Sequence, residues 1–183
     1  MAMTTAATPA RPTAEVEREM RAAERPLWVG YPIPGKFAIK TGMRALLFGI
    51  PWTAFCVVWE LQAIRSGSIF MSLWGIPFIV IGFSMLASPL VQYWMAHRTI
   101  YVVSNQRLLI LDGLLRPSVK SFFPSDIGHL RVDEAKDGSG SIIFSEKRTQ
   151  DAEGGWNVEK IGFIAIAKVR DAEGHIAALK RPT

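Results

Sequence analysis

A chain of 183 residues, 49% of them hydrophobic and with a formal net charge of +5, has room for one modest folded core and little more. Its basic residues are dispersed, and the densest cluster, Glu146-Lys147-Arg148, contains its own acid, so nucleic acid is excluded as a partner for want of a cationic stripe. The single cysteine, Cys56, excludes an intramolecular disulfide and suits a reducing compartment.

Residues 1–24 are rich in Ala, Thr and Pro and then alternate acids with arginines. They hold no apolar stretch of signal-peptide length and read as a disordered or partly helical tail. Residues 25–44 follow as a cytoplasmic juxtamembrane segment with Arg25, Lys36, Lys40 and Arg44. Next come two apolar runs, Ala45 to Ile64 and Ile69 to Ala96, joined by an Arg-Ser-Gly-Ser linker; from Ser66 through His97 there is no Asp, Glu, Lys or Arg. A helix needs about 20 apolar residues to cross a bilayer's ~30 Å hydrocarbon core. Residues 45–64 and 69–96 are therefore expected to be two transmembrane helices, since a chain this short could not bury such a hairpin in a soluble core.

Orientation follows from the flanking cations. Lys36, Lys40 and Arg44 precede the first span and Arg98 follows the second, whereas the linker offers only Arg65. Both termini are expected on the cytoplasmic side of a bacterial inner membrane. Trp59 and Trp74 near the linker, and Tyr93 and Trp94 at the far end, mark the headgroup zones. Pro51, Pro77 and Pro89 are expected to interrupt the spans. Gly82, Ser84 and Ser88 form a candidate helix-packing face, read first as packing within the hairpin and second as a dimer or partner face, which leaves a homo-oligomer open. Glu60, the sole acid within the spans, is expected to reach the headgroups or pair with Arg65.

From Thr99 the hydrophobic period becomes two. Ile100 and Val102, then Leu108 and Ile110, alternate about a turn at Asn105-Gln106. Further strands are expected at Ser118 to Phe123, Ile127 to Val132, Ser141 to Ser145 and Trp156 to Ala165, the last supplying one or two. Lys168 to Lys180 has helical spacing, with Val169, Ala172, Ile176 and Leu179 on one face. The expected fold is a membrane α-helical hairpin followed by a mainly-β (α+β) unit over 99–180, with six to seven antiparallel strands in an open barrel and a C-terminal helix.

Tyr101-Val102-Val103-Ser104-Asn105-Gln106-Arg107-Leu108-Leu109-Ile110 resembles the opening hairpin of the bacterial pleckstrin-homology-like domain carried by small membrane proteins with two transmembrane helices. Asp137-Gly138-Ser139-Gly140-Ser141-Ile142-Ile143-Phe144, Gly162-Phe163-Ile164 with its helix, and the leading Glu-Arg-Pro-Leu-Trp-Val-Gly (Glu24 to Gly30) are similar to other blocks of that family. The likeness covers roughly Glu24 to Lys180; Lys168 and Gly174 depart from a smooth amphipathic helix. It implies a fold rather than a chemistry, since such barrels read lipid headgroups, bind peptides or act as scaffolds. The short Asn105-Gln106 turn beside Arg107 lacks the cation-rich loop of a phosphoinositide reader. Weak contact with anionic headgroups is assigned to Lys36, Lys40, Arg44 and Arg98, about 1 kcal/mol for each cation near the surface.

No catalytic, cofactor or metal constellation stands out. His97, His129 and His175 are scattered, no spacing matches a zinc site, and Gly138-Ser139-Gly140 lacks the Lys and helix of a phosphate loop. An enzyme would have to draw on Asp126, His129 or Asp133. The expectation is a non-enzymatic, membrane-anchored interaction or scaffold module whose partners are the lipid bilayer and a protein bound at an exposed strand edge or groove. The alternative is an accessory helical subunit packed into a larger membrane complex, such as a transporter or respiratory assembly.

Overall fold

The computed structural model describes residues 14–113, 118–150 and 156–180. The chain divides into two units, a helical one over Pro34–Ala96 and a second built from the residues up to Ile33 together with His97 onward.

The helical unit holds α2 (Pro34–Arg65), α3 (Ile69–Leu86) and α4 (Ser88–Ala96), and α2 packs against both of the others. α2 and α3 are long and apolar enough to cross a membrane, and little of either is buried. Leu47, Phe55, Ile64, Phe70, Leu73 and Val80 all stand exposed, the reverse of a soluble core helix. α2 starts well before the apolar run and carries Lys36, Lys40 and Arg44 on its first turns. At ~1.5 Å per residue it is longer than the hydrocarbon core is thick. The second run is not one helix: it breaks at Ala87, where Pro89 lacks the N–H needed to continue the ladder. Pro51 and Pro77 lie inside continuous helices and cause no break.

The hairpin closes on small residues at heptad spacing. A β-carbon on Gly42 would fall 2.9 Å from Pro89 Cα, and one on Gly49 2.7 Å from Met85 Cβ. From the other side, Gly75 abuts Glu60 Oε2 and Gly82 abuts Thr53 Oγ1. Positions 42, 49, 56 and 63 of α2 are all buried, as are 75 and 82 of α3, and this seven-residue recurrence lets two backbones approach closely.

Among its described residues the second unit contains a short helix α1 (Ala14–Glu19), seven strands and a closing helix α5 (Val169–Lys180). β1 (Pro26–Gly30), β2 (Ile100–Ser104), β3 (Leu108–Asp112) and β4 (Ser118–Phe122) form a four-stranded sheet in that order. β5 (Arg131–Glu134), β6 (Gly140–Gln150) and β7 (Trp156–Ile166) form a three-stranded one. Every pairing is antiparallel. Among the described residues the backbones of the two sheets are joined by the Pro32–Ile166 bridge and an Ile33 N–H bond to Ala165 O, and the architecture is open rather than closed.

The two-residue turn at Asn105-Gln106 pairs Val103 with Leu108 and Tyr101 with Ile110. Ile100 and Val102 therefore share a face with Leu109 and Leu111, not with Leu108 and Ile110. The first set packs under Val16 and Met20 from the N-terminal segment. The second joins Ile142, Phe144, Phe163, Val169 and Ile176 in the main core. Central strands covered on both faces read as unbroken apolar runs, as Tyr101-Val102-Val103 and Leu108-Leu109-Ile110-Leu111 do. The fourth predicted strand is displaced: Pro124–Asp126 forms a 3₁₀ turn, closed by the Phe123 N–H donating to Asp126 Oδ2 at 2.9 Å, and pairing begins only at Arg131. α5 uses the predicted face, with Val169, Ala172 and Ile176 buried, and runs through Gly174 without a break.

Candidate interaction surface: the free edge of the four-stranded sheet

Among the described residues β4 is the last strand of its sheet, bonded to β3 alone. Its side chains are exposed or half-buried, and Val119 and Phe123 are among the exposed apolar groups of this unit. By register, Phe122 and Lys120 lie on the face of Leu108 and Ile110. Val119 and Ser121 lie on the face of Leu111 and Leu109. Phe122 meets Phe144 edge-on at 5.2 Å, which fastens the C-terminal end of the strand to the core. Lys120 stands 3.5 Å from Asp112 and remains half-exposed.

A buried ionic cluster supports this edge. Arg107 donates from Nε to Glu24 Oε1 at 2.9 Å, from Nη2 to Glu24 Oε2 at 3.0 Å and to Glu19 O at 2.8 Å, and from Nη1 to Ser121 Oγ of β4 at 2.8 Å. Ser104 Oγ donates to Glu24 Oε1 at 2.7 Å and accepts the Gln106 and Arg107 N–H groups of the turn. The Arg21 N–H also reaches Glu24 Oε2 at 2.9 Å. Burial by itself would raise the Glu24 pKa, but the bonds from Arg107, Arg21 and Ser104, with the Arg107 charge, outweigh it and hold the group at about 2. Asn105 completes the clasp by accepting the Arg25 N–H at 2.9 Å and donating to Ala23 O at 3.3 Å. Glu24, Ser104 and Ser121 were not singled out from the sequence as members of a cluster. Some of these partners lie about eighty positions apart, and no local pattern marks them.

The candidate headgroup cations are exposed. Lys36, Lys40 and Arg44 fall one turn apart along one face of α2, and Arg98 follows α4. Of the candidate packing face, Gly82 lies against Thr53 and Ser88 against Gly42, whereas Ser84 is exposed and donates to Ile81 O of its own helix. Residue 84 lies about 200° around the helix from 82, while 89 returns to the seam. Asp126 is taken up in its turn, and His129 and Asp133 are exposed. Asp137 accepts the Ser139 N–H and hydroxyl at the β5–β6 turn. Among the described residues no three His, Cys, Asp or Glu side chains stand close enough to hold a metal ion.

In the helical unit, Trp52, Phe55, Trp59, Trp74 and Phe78 surround a cavity of about 190 Å³ that also touches Cys56 and Gly75. The Trp52 indole N–H crosses to Phe78 O at 3.2 Å and fixes one wall. No ion pair joins Glu60 to Arg65 among the described residues. Glu60 Oε2 is instead buried against Gly75 without a hydrogen-bond partner. Comparison of the chain with family models, with curated proteins and with solved structures returns no match, so the functional reading rests on this geometry alone.

Proposed function

We propose that this chain is a membrane-anchored interaction module. Its helical hairpin sits in a bacterial inner membrane with both termini cytoplasmic, and its β unit, a pleckstrin-homology-like domain, recruits a protein by strand addition at β4. The free edge of β4 carries the proposal: a five-residue strand, bonded on one side only among the described residues and held from beneath by Arg107. Such an edge offers main-chain donors and acceptors to an extended peptide, while alternate side chains select it. Lys120 guards the edge against indiscriminate pairing and favours a partner strand with an acid opposite it. The cation distribution supports the orientation, since Lys36, Lys40, Arg44 and Arg98 flank the spans on one side and Arg65 stands alone on the other. Binding, not catalysis, is the role this reading assigns.

A photo-crosslinking amino acid at Val119, compared with one at Leu73 on the exposed surface of α3, tests it in native membranes. Strand addition predicts a discrete protein adduct from position 119 that disappears with Ser121→Pro, whose N–H faces away from β3, but persists with Ser121→Ala, while the β unit keeps its circular-dichroism spectrum. Adducts from position 73 alone would contradict it and favour a helical subunit of a larger assembly.

A further inference from the structure

The usable edge of β4 is shorter than the strand that carries it, and Asp126 sets one of its ends. The Ser104 N–H bonds to Arg107 O at 3.0 Å, so these two residues form a hydrogen-bonded pair across the β2–β3 turn. Bonded pairs alternate with non-bonded ones in an antiparallel ladder, so Val102 with Leu109 and Ile100 with Leu111 are bonded too. Leu108 and Ile110 then turn their main-chain groups toward β4, where they oppose Phe122 and Lys120. Val119 and Ser121 are left to direct N–H and C=O away from β3, toward an added strand. Two positions before Val119 stands Pro117, which has no N–H to offer in any conformation. Two positions after Ser121, Phe123 is still extended, with φ −81° and ψ 163°. Its N–H donates to Asp126 Oδ2 at 2.9 Å, and its carbonyl accepts the Asp126 N–H at 2.8 Å. Asp126 thus makes both bonds that an opposed residue on an antiparallel neighbour would make, its carboxylate standing for the neighbour's carbonyl. The Arg21 guanidinium lies over the Phe123 ring, 5.3 Å from its centroid, and engages the side chain as well.

We propose that Asp126 is the stop that fixes the register of strand addition at β4, so that the partner contributes a short extended segment seated in one alignment. With Phe123 occupied and Pro117 lacking a donor, Val119 and Ser121 are the two outward N–H groups from residue 117 to 123. The inference rests on the reading of β4 as a docking edge and names what that edge selects. Side chains alternate with a period of two, so alignments two residues apart place the same faces together. An edge with a third donor at Phe123 would accept a strand slipped by two residues. Pro124 and the Asp126 N–H already close the turn, and what the carboxylate adds is capture of that third donor.

Two measurements on the full chain test the stop. Asp126 is exposed, so Asp126→Ala and Asp126→Lys each remove the acceptor without disturbing a packed side chain. Both should speed hydrogen exchange at the Phe123 amide about two- to tenfold, the worth of one net hydrogen bond. Asp126→Asn keeps an acceptor oxygen and should hold the wild-type rate. In native membranes, a photo-crosslinking amino acid at position 119 forms the adduct, and peptide mass spectrometry maps its attachment point on the captured protein. The wild type and Asp126→Asn should attach to one partner residue. Asp126→Ala and Asp126→Lys should attach to that residue and to a second one two positions away. A single attachment point in both of these variants, or an unchanged exchange rate at Phe123, would overturn the stop while leaving the docking edge in place. Absence of any adduct from position 119 in the wild type would remove the docking edge and the stop together.

Discussion

Glu24 and Arg107 are 0% and 7% exposed in their side chains, which makes theirs the interaction most sensitive to substitution in the β unit. Removing one partner strands the other charge in the interior, and Glu24→Gln or Arg107→Ala should each destabilise the unit by about 3–5 kcal/mol in denaturant unfolding. Ser104→Ala should cost less, about 1–3 kcal/mol, since the turn N–H groups lose an acceptor but the ion pair survives. The pH dependence has a definite sign. Glu24 is depressed from 4.5 to about 2, so its stabilisation is complete above pH 4.5 and declines as pH falls toward 2. The shift corresponds to about 3 kcal/mol. Urea midpoints of the wild-type chain should fall across that window, and those of Glu24→Gln should fall less. Equal slopes would show that other carboxyls dominate.

Packing in the helical hairpin depends on glycines that leave no space for a side chain. Gly49→Leu or Gly82→Leu should separate α2 from α3 and cost about 1–3 kcal/mol by overpacking. Gly35→Leu serves as the control, because nothing lies within 4 Å of its β position. Resistance to SDS, followed by tryptophan fluorescence, should drop for the first two variants and not for the third. Much at this scale was legible in the sequence. Long apolar runs mark α2 and α3, short apolar runs about the Asn105-Gln106 turn mark β2 and β3, and the Val169, Ala172, Ile176 spacing marks α5. What escaped depends on register and on distant partners. A two-residue turn decides whether Leu108 faces the same side as Ile100 or as Val103, and either choice preserves the period of two. Pro89 breaks its helix while Pro51 and Pro77 do not, a difference that the residue type alone does not carry. The free edge of β4 was foreseen only as some edge of an open sheet, since strand order is a tertiary property.

For the whole molecule, the N-terminal segment belongs with the β strands: β1 extends the four-stranded sheet, Val16 is fully buried on its outer face, and Glu24 reaches Arg107. The chain leaves that unit at Ile33, passes through Pro34–Ala96 and returns at His97. In the proposed orientation the like-charged flanks at both ends of the hairpin lie on the same side of the membrane. Deleting residues 1–24 should therefore impair folding of the β unit and lower its yield from membranes, whereas a dispensable tail would leave both unchanged. The central claim, that lipid is the solvent for the hairpin, is tested most directly by thiol labelling in intact bacteria. Cys56 is only 5% exposed and gives little background. A membrane-impermeant maleimide should label Ser66→Cys in the linker from outside intact cells and should reach Ser118→Cys on β4 only after lysis. Labelling of both positions, or of neither, before lysis would contradict a hairpin that crosses the bilayer with its β unit in the cytoplasm.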